Sequence, residues 1–135
     1  MIRYLLDTDI CIELIRGKSG DATAHLRKQS PGSVALSAIT LAELQFGVAN
    51  SSDPPRNHLA LLHFVASMSV VSFDARAAEA YGRIRKNLEL RGIPIGAMET
   101  LIAAQAQSLN AILVSNNIRE FARIPDLPLE NWTKR

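Results

Sequence analysis

The chain has 135 residues, 47% of them hydrophobic, with 15 Lys and Arg against 13 Asp and Glu and a formal charge of +2. That length suits one compact domain over residues 1–135, and that hydrophobic share excludes disorder as the main state. A single cysteine, Cys11, excludes an internal disulfide. No run approaches the ~20 apolar residues of a membrane span, and the N-terminus opens on a strand-like run, so a cytoplasmic protein without a signal peptide is expected. The near-neutral balance permits a polyanionic partner without arguing for one.

Short apolar runs alternate with helical patterns along the chain. Residues 2–6 read as a first strand, and Thr8 or Asp9 as the cap of a helix to about residue 16. A break over 17–20 precedes a small helix around 22–28. Residues 34–36 read as a second strand, with Ser37 as the N-cap of the helix carrying Glu43. Ser51-Ser52-Asp53-Pro54-Pro55 has loop chemistry, and a helix near 57–66 leads to a third strand around 70–71. Asp74 caps a long helix in which Ala77, Tyr81, Ile84 and Leu88 recur at helical spacing, and Gly92 and Pro94 stop it. A helix over about 97–109, a buried strand over 111–114 and a short fifth over 127–129 complete the pattern. Strands that are apolar throughout and separated by helices predict an α/β fold, a parallel four- to five-stranded sheet with helices on both faces.

In such sheets ligands bind beyond the carboxyl ends of the strands. Asp7 lies at one of those ends, and Ser115, Asn116 and Asn117 follow another. Glu43 comes about two helical turns after the second strand. Glu99 opens a helix behind the stiff, glycine-bounded segment 92–96. Carboxylates gathered this way suit a hard cation such as Mg²⁺ or Mn²⁺, and such pockets commonly serve phosphodiester cleavage. Each acid also has a plainer reading: Asp7 as a helix cap, Glu43 on a solvated helix face, Glu99 complementing a helix dipole.

Other polar residues read as follows. His25, His58 and His63 fall in helical segments away from the strand ends. His58 and His63 are five apart rather than the four of zinc ligands on a helix, so all three read as surface or boundary residues. Arg83, Arg85, Lys86 and Arg91 are either a nucleic-acid footprint or a solvated helix face. Arg119 and Arg123 follow the asparagine pair, and Arg119 is the better placed for nucleic acid because it follows the expected active edge. Trp132 reads as a packing anchor for the tail, and Cys11 as a small buried hydrophobe.

Three stretches carry a wider likeness: Leu5-Leu6-Asp7-Thr8-Asp9-Ile10, the run from Ser37 to Gly47 around Thr40-Leu41-Ala42-Glu43-Leu44, and Pro94-Ile95-Gly96-Ala97-Met98-Glu99-Thr100-Leu101. Together with Leu113-Val114-Ser115-Asn116-Asn117 and the closing Leu129-Glu130-Asn131-Trp132, they resemble PIN-domain toxins of the VapC type over essentially the whole chain. The resemblance implies a PIN-like α/β/α sandwich and a metal-dependent endoribonuclease using Mg²⁺, with Mn²⁺ as a substitute. It also implies a cognate antitoxin as inhibitor, a homodimer, RNA such as transfer RNA as substrate, and operator DNA contacted only through the antitoxin.

Carried over residue by residue, Asp7 and Glu43 match the first two family acids. The third is normally an aspartate and is here Glu99. The fourth polar position falls at Asn117, with Ser115, Asn116 and Arg119 beside it as expected nucleic-acid contacts. Gln105 stands where a histidine is common. The implied roles are Asp7, Glu43 and Glu99 as metal ligands, with Asn117 hydrogen-bonding a water on the metal. Glu99 reaches one methylene further than aspartate, and Mg²⁺ demands near-ideal octahedral geometry, so an attenuated enzyme is expected. Two other readings stand beside this one. The chain could be a catalytically weak antitoxin-binding partner in an autorepression complex. Asp7-Thr8-Asp9 also fits a haloacid-dehalogenase-like phosphatase, against which Cys11, the short chain and Asn116-Asn117 all count.

Overall fold

The computed structural model describes residues 1–133. Five strands, β1 (Tyr4–Leu6), β2 (Val34–Ser37), β3 (Ser69–Val71), β4 (Ile112–Val114) and β5 (Leu129–Glu130), form one sheet in the order β3-β2-β1-β4-β5. All four pairings are parallel. The helices are α1 (Thr8–Arg16), α2 (Gly20–Arg27), α3 (Ala38–Ala49), α4 (Pro54–Ala66), α5 (Ala75–Leu90), α6 (Ala97–Leu109) and α7 (Ile118–Phe121).

The continuous apolar character of the strands follows from burial on both faces. Leu5 is in register with Ala35 and Leu113, and all three enter the core with Ala80, Ile84 and Leu88 of α5 and Ile102 and Ala103 of α6. Their neighbours Tyr4, Leu6, Val34, Leu36 and Val114 point the other way, against Ile10 and Cys11 of α1, Leu44 of α3 and Leu61 of α4. Cys11 is fully buried, and burial pushes its thiol pKa well up, so it packs as a small hydrophobe. Burying each of these larger side chains contributes about 1.5–3 kcal/mol.

Local chemistry sets the boundaries. Gly17, at φ 64°, ends α1 in the left-handed conformation that glycine adopts freely, and Asn110 ends α6 at φ 53°. Asp74 caps α5, accepting from Ala77 N at 3.0 Å. Several boundaries differ from the sequence expectation. Asp7 itself, rather than Thr8 or Asp9, caps α1. The Pro54-Pro55 pair, read as loop, forms the start of α4 behind an Asp53 cap, because a proline at a helix start gives up only an N–H that has no partner there. Strand β5 lies at Leu129–Glu130 and not at 127–129; Leu127 instead plugs the core ahead of it. The short helix α7 follows β4 with no signal in the apolar pattern.

Trp132 is buried as expected. Its ring meets Tyr4 edge-on at 5.2 Å and stacks on His25 at 5.4 Å, while its Nε1 donates to Glu130 Oε1 at 3.0 Å. His25 is therefore part of the clamp on the tail. Among the described residues no helix is long and apolar enough to cross a membrane.

The chain builds β2 and β3 on one side of β1, then crosses to place β4 and β5 on the other. That reversal opens a crevice beyond the carboxyl ends of β1 and β4, the usual ligand position in an open parallel sheet.

Candidate active site

Asp7 is the first residue beyond β1, and its backbone N–H donates to Val114 O at 3.0 Å. Because Leu6 pairs with Val114, the next rung sets Asp7 beside Ser115. The Ser115 hydroxyl donates to Asp7 Oδ2, and Ile10 N donates to Oδ1 at 2.9 Å. Both carboxylate oxygens are therefore engaged, and Asp7 is only 4% exposed. Burial drives its pKa up to about 6 from 3.8; the two hydrogen bonds oppose the rise, and the negative charges of Asp9 and Glu43 add to it.

Glu43 lies on α3, whose start is fixed from below. The Ser37 hydroxyl accepts from Ile39 N at 3.1 Å and donates to Gln105 Oε1 of α6 at 2.9 Å, inside the core. The glutamine that replaces the expected histidine thus ties the start of α3 to α6. Glu43 Oε1 accepts from the Thr8 hydroxyl at 2.5 Å, and Thr8 Oγ1 is 3.4 Å from Thr40 Oγ1. Asp7 and Glu43 are thereby brought together through adjacent residues of one helix start.

Glu99 sits in the first turn of α6, whose N-cap Gly96 supplies no side chain. Its carboxylate folds back over that glycine: a Cβ on residue 96 would stand 2.9 Å from Glu99 Cδ and closer still to Oε2. Among the described residues, no three His, Cys, Asp or Glu side chains gather as a metal-holding group. The acids expected to meet as a triad therefore stand as the Asp7–Glu43 pair, with Glu99 turned onto its own helix start. There it lies at the positive end of the helix.

The polar residues after β4 divide by burial. Ser115, expected to touch nucleic acid, is fully buried and serves Asp7 instead, while accepting from Asn117 N at 2.8 Å. Asn117 stands at the N-cap of α7, and its side chain makes no capping bond. Asn116 is exposed and donates to Glu13 Oε1 at 3.2 Å. Arg119 is exposed and forms no ion pair among the described residues. Arg83, Arg85, Arg91 and Arg123 are committed. Arg83 pairs with Glu79 and Arg85 with Glu89, each at 2.8 Å, as on a solvated helix face. Arg91 donates to Arg123 O at 2.7 Å and Arg123 to Pro94 O at 3.0 Å, pinning the 92–96 segment against the end of α7.

Beside the site, Ile12, Ile15 and Arg16 of α1 and Leu44 and Val48 of α3 line an apolar groove of about 180 Å³ that reaches Glu43. Sequence reasoning missed Thr8 and Thr40 as neighbours of Glu43 and Ser115 as the partner of Asp7. The last could be inferred only once β1 and β4 were known to be adjacent.

Residues 4–127 match the PIN domain family. The chain is 41% identical to ribonuclease VapC2 of Rickettsia felis, covering 97% of this chain and 98% of that protein. It is 37% identical to the tRNA(fMet)-specific endonuclease VapC of Shigella flexneri, covering 98% and 100%. The fold superposes on the crystal structure of VapBC2 from Rickettsia felis, bound to a DNA fragment from their promoter, with a TM-score of 0.89 at 40% identity, covering 98% of this chain and 99% of that one. Set on a buried Asp7 and a half-buried Glu43 at the switch point of a five-stranded parallel sheet, these likenesses show that the chain belongs to the PIN-domain family and, within it, to the VapC group.

Proposed function

We propose that this protein is the toxin of a toxin–antitoxin pair, an endoribonuclease that hydrolyses RNA phosphodiester bonds with a divalent cation and takes transfer RNA as its substrate class. The observation that carries the reading is the Asp7–Glu43 pair, two acids drawn together where burial, with a smaller repulsion from Asp9 and Glu43, raises the Asp7 pKa to about 6. A hard cation relieves that repulsion, and Mg²⁺ is commonly held by one or two carboxylates with waters and substrate phosphates. The donor set of Asp7 and Glu43 therefore fits Mg²⁺ or Mn²⁺, and Glu99 would join it only by turning off Gly96. When bound, the ion supplies an acidified water and neutralises charge developing on the phosphate.

The chain's own residues do the rest. Ser115 and the Ile10 N–H hold Asp7 in one orientation before substrate arrives, so it need not reorganise during the reaction. Asn117 orients the attacking water, and Asn116 and Arg119 meet the RNA backbone at the exposed rim. Glu99, longer than the aspartate of the family pattern and folded onto Gly96, holds the rate below that of an aspartate enzyme.

The partner is the antitoxin, in keeping with the VapBC2 relative, whose complex is bound to promoter DNA. Its apolar segment lies in the groove beside Glu43, and operator DNA is reached only through it. Phe46 of α3 and Leu59 and Leu62 of α4 are exposed and suit a homodimer contact. Work on transfer RNA places the protein in the cytoplasm.

The test is cleavage of transfer RNA by antitoxin-free protein with Mg²⁺ or Mn²⁺, beside EDTA, Asp7→Asn and Glu99→Asp. Cleavage that needs metal and Asp7, and quickens in Glu99→Asp, is the expected result. Antitoxin binding with no cleavage by either the parent or Glu99→Asp would replace the enzyme with an autorepression partner.

A further inference from the structure

Thr8 is the first residue of α1, directly after the Asp7 cap. A helical threonine usually turns its hydroxyl back to a carbonyl three or four residues earlier. At the first helical position there is no preceding turn to receive it, and the Thr8 hydroxyl reaches across to α3 instead. It lies 2.5 Å from Glu43 Oε1 and 3.4 Å from Thr40 Oγ1. A hydroxyl has one proton, and the shorter, charge-assisted contact takes it. Among the described residues Glu43 forms no ion pair, and its side chain accepts from Thr8 alone. A glutamate on a partly exposed helix otherwise samples several rotamers.

We infer that Thr8 is a positioning residue: its hydroxyl holds the Glu43 carboxylate beside Asp7, ready for a divalent cation. The inference rests on the metal reading of the site given above. Each carboxylate oxygen has two lone pairs, so Oε1 can keep the Thr8 proton and still face a cation. The arrangement also makes the spacing of the two acids a property of consecutive residues, because Asp7 caps the helix that Thr8 begins. Outer donors of this kind typically change metal affinity 10–100-fold when removed.

The experiment is Mn²⁺ binding by calorimetry to RNA-free protein, comparing the parent with Thr8→Val, Thr8→Ala and Thr8→Ser, with Glu43→Gln as control and circular dichroism to confirm folding. The expected result is a Kd for Mn²⁺ raised 10–100-fold in the valine and alanine variants and restored near the parental value by serine. A merely structural tie between α1 and α3 would lower the melting temperature without moving the Kd of the folded protein, and that would overturn the inference. Tighter Mn²⁺ binding in Thr8→Val would overturn it too, by showing that Thr8 competes with the cation. If the parent binds no Mn²⁺, or Glu43→Gln binds it as well as the parent, the metal reading itself fails and takes the inference with it.

Discussion

Asp7→Asn should stabilise the metal-free protein at neutral pH although it removes a residue the reaction needs. A rise from 3.8 to about 6 corresponds to about 3 kcal/mol against the charged form, at ~1.4 kcal/mol per pH unit. Asparagine carries no charge into that buried position. Its Oδ1 can accept from Ile10 N, and its amide can donate to Ser115 Oγ, whose proton then turns elsewhere. The shift already includes the bonds to the carboxylate, so only a poorer fit of the amide to the two neutral bonds offsets it, which leaves a net gain of about 2 kcal/mol. For a chain of this size that is roughly 5–10 °C in melting temperature.

The pH dependence gives the sharper test. Since the folded pKa lies above the unfolded one, the folded parent binds more protons between about pH 4 and 6. Its stability therefore falls as pH rises through that window, and Asp7→Asn lacks this loss. Thermal unfolding by circular dichroism in EDTA, at intervals from pH 4 to 8, should show the variant ahead at pH 7.5 and level with the parent near pH 4. A variant less stable than the parent at pH 7.5, or a difference that does not change with pH, would refute the reasoning.

Four further variants have defined outcomes. Gly96→Ala drives a Cβ into the Glu99 carboxylate, the flexible end of a side chain, so stability should change by less than about 1 kcal/mol while the cleavage rate shifts several-fold; unchanged kinetics would exclude Glu99 from the reaction. Arg119→Ala should weaken RNA binding and lower the salt slope, measured by fluorescence anisotropy, by about one. Arg91→Ala should leave that slope unchanged, since its guanidinium is spent on Arg123 O and Asn87. Trp132→Ala, removing the only tryptophan and the centre of the Tyr4–His25 clamp, should cost about 3–5 kcal/mol in urea unfolding followed by circular dichroism.

Much of the molecule follows from the amino-acid order alone. The runs at Tyr4–Leu6, Val34–Ser37 and Ile112–Val114 are apolar at every position, or nearly so, because both sheet faces are covered, and that pattern survives without knowledge of strand order. Ser37 and Asp74 act as caps because capping needs only a short polar side chain and the next turn of the same helix. The positions of Asp7 and Glu43 at the carboxyl edge are local consequences of the same kind.

What only the tertiary structure decided is which groups meet. Ser115 serves Asp7 across 108 residues because β1 and β4 are neighbours, an adjacency created by the crossover after β3. Thr8 binds Glu43 and Gln105 binds Ser37 because α1, α3 and α6 converge at one edge. Glu99 turns onto Gly96 at the start of its own helix, which has no capping side chain. Propensity and periodicity act within a few residues, whereas the site is assembled by contacts between strands and helices far apart in the chain, and only the packed sheet specifies those.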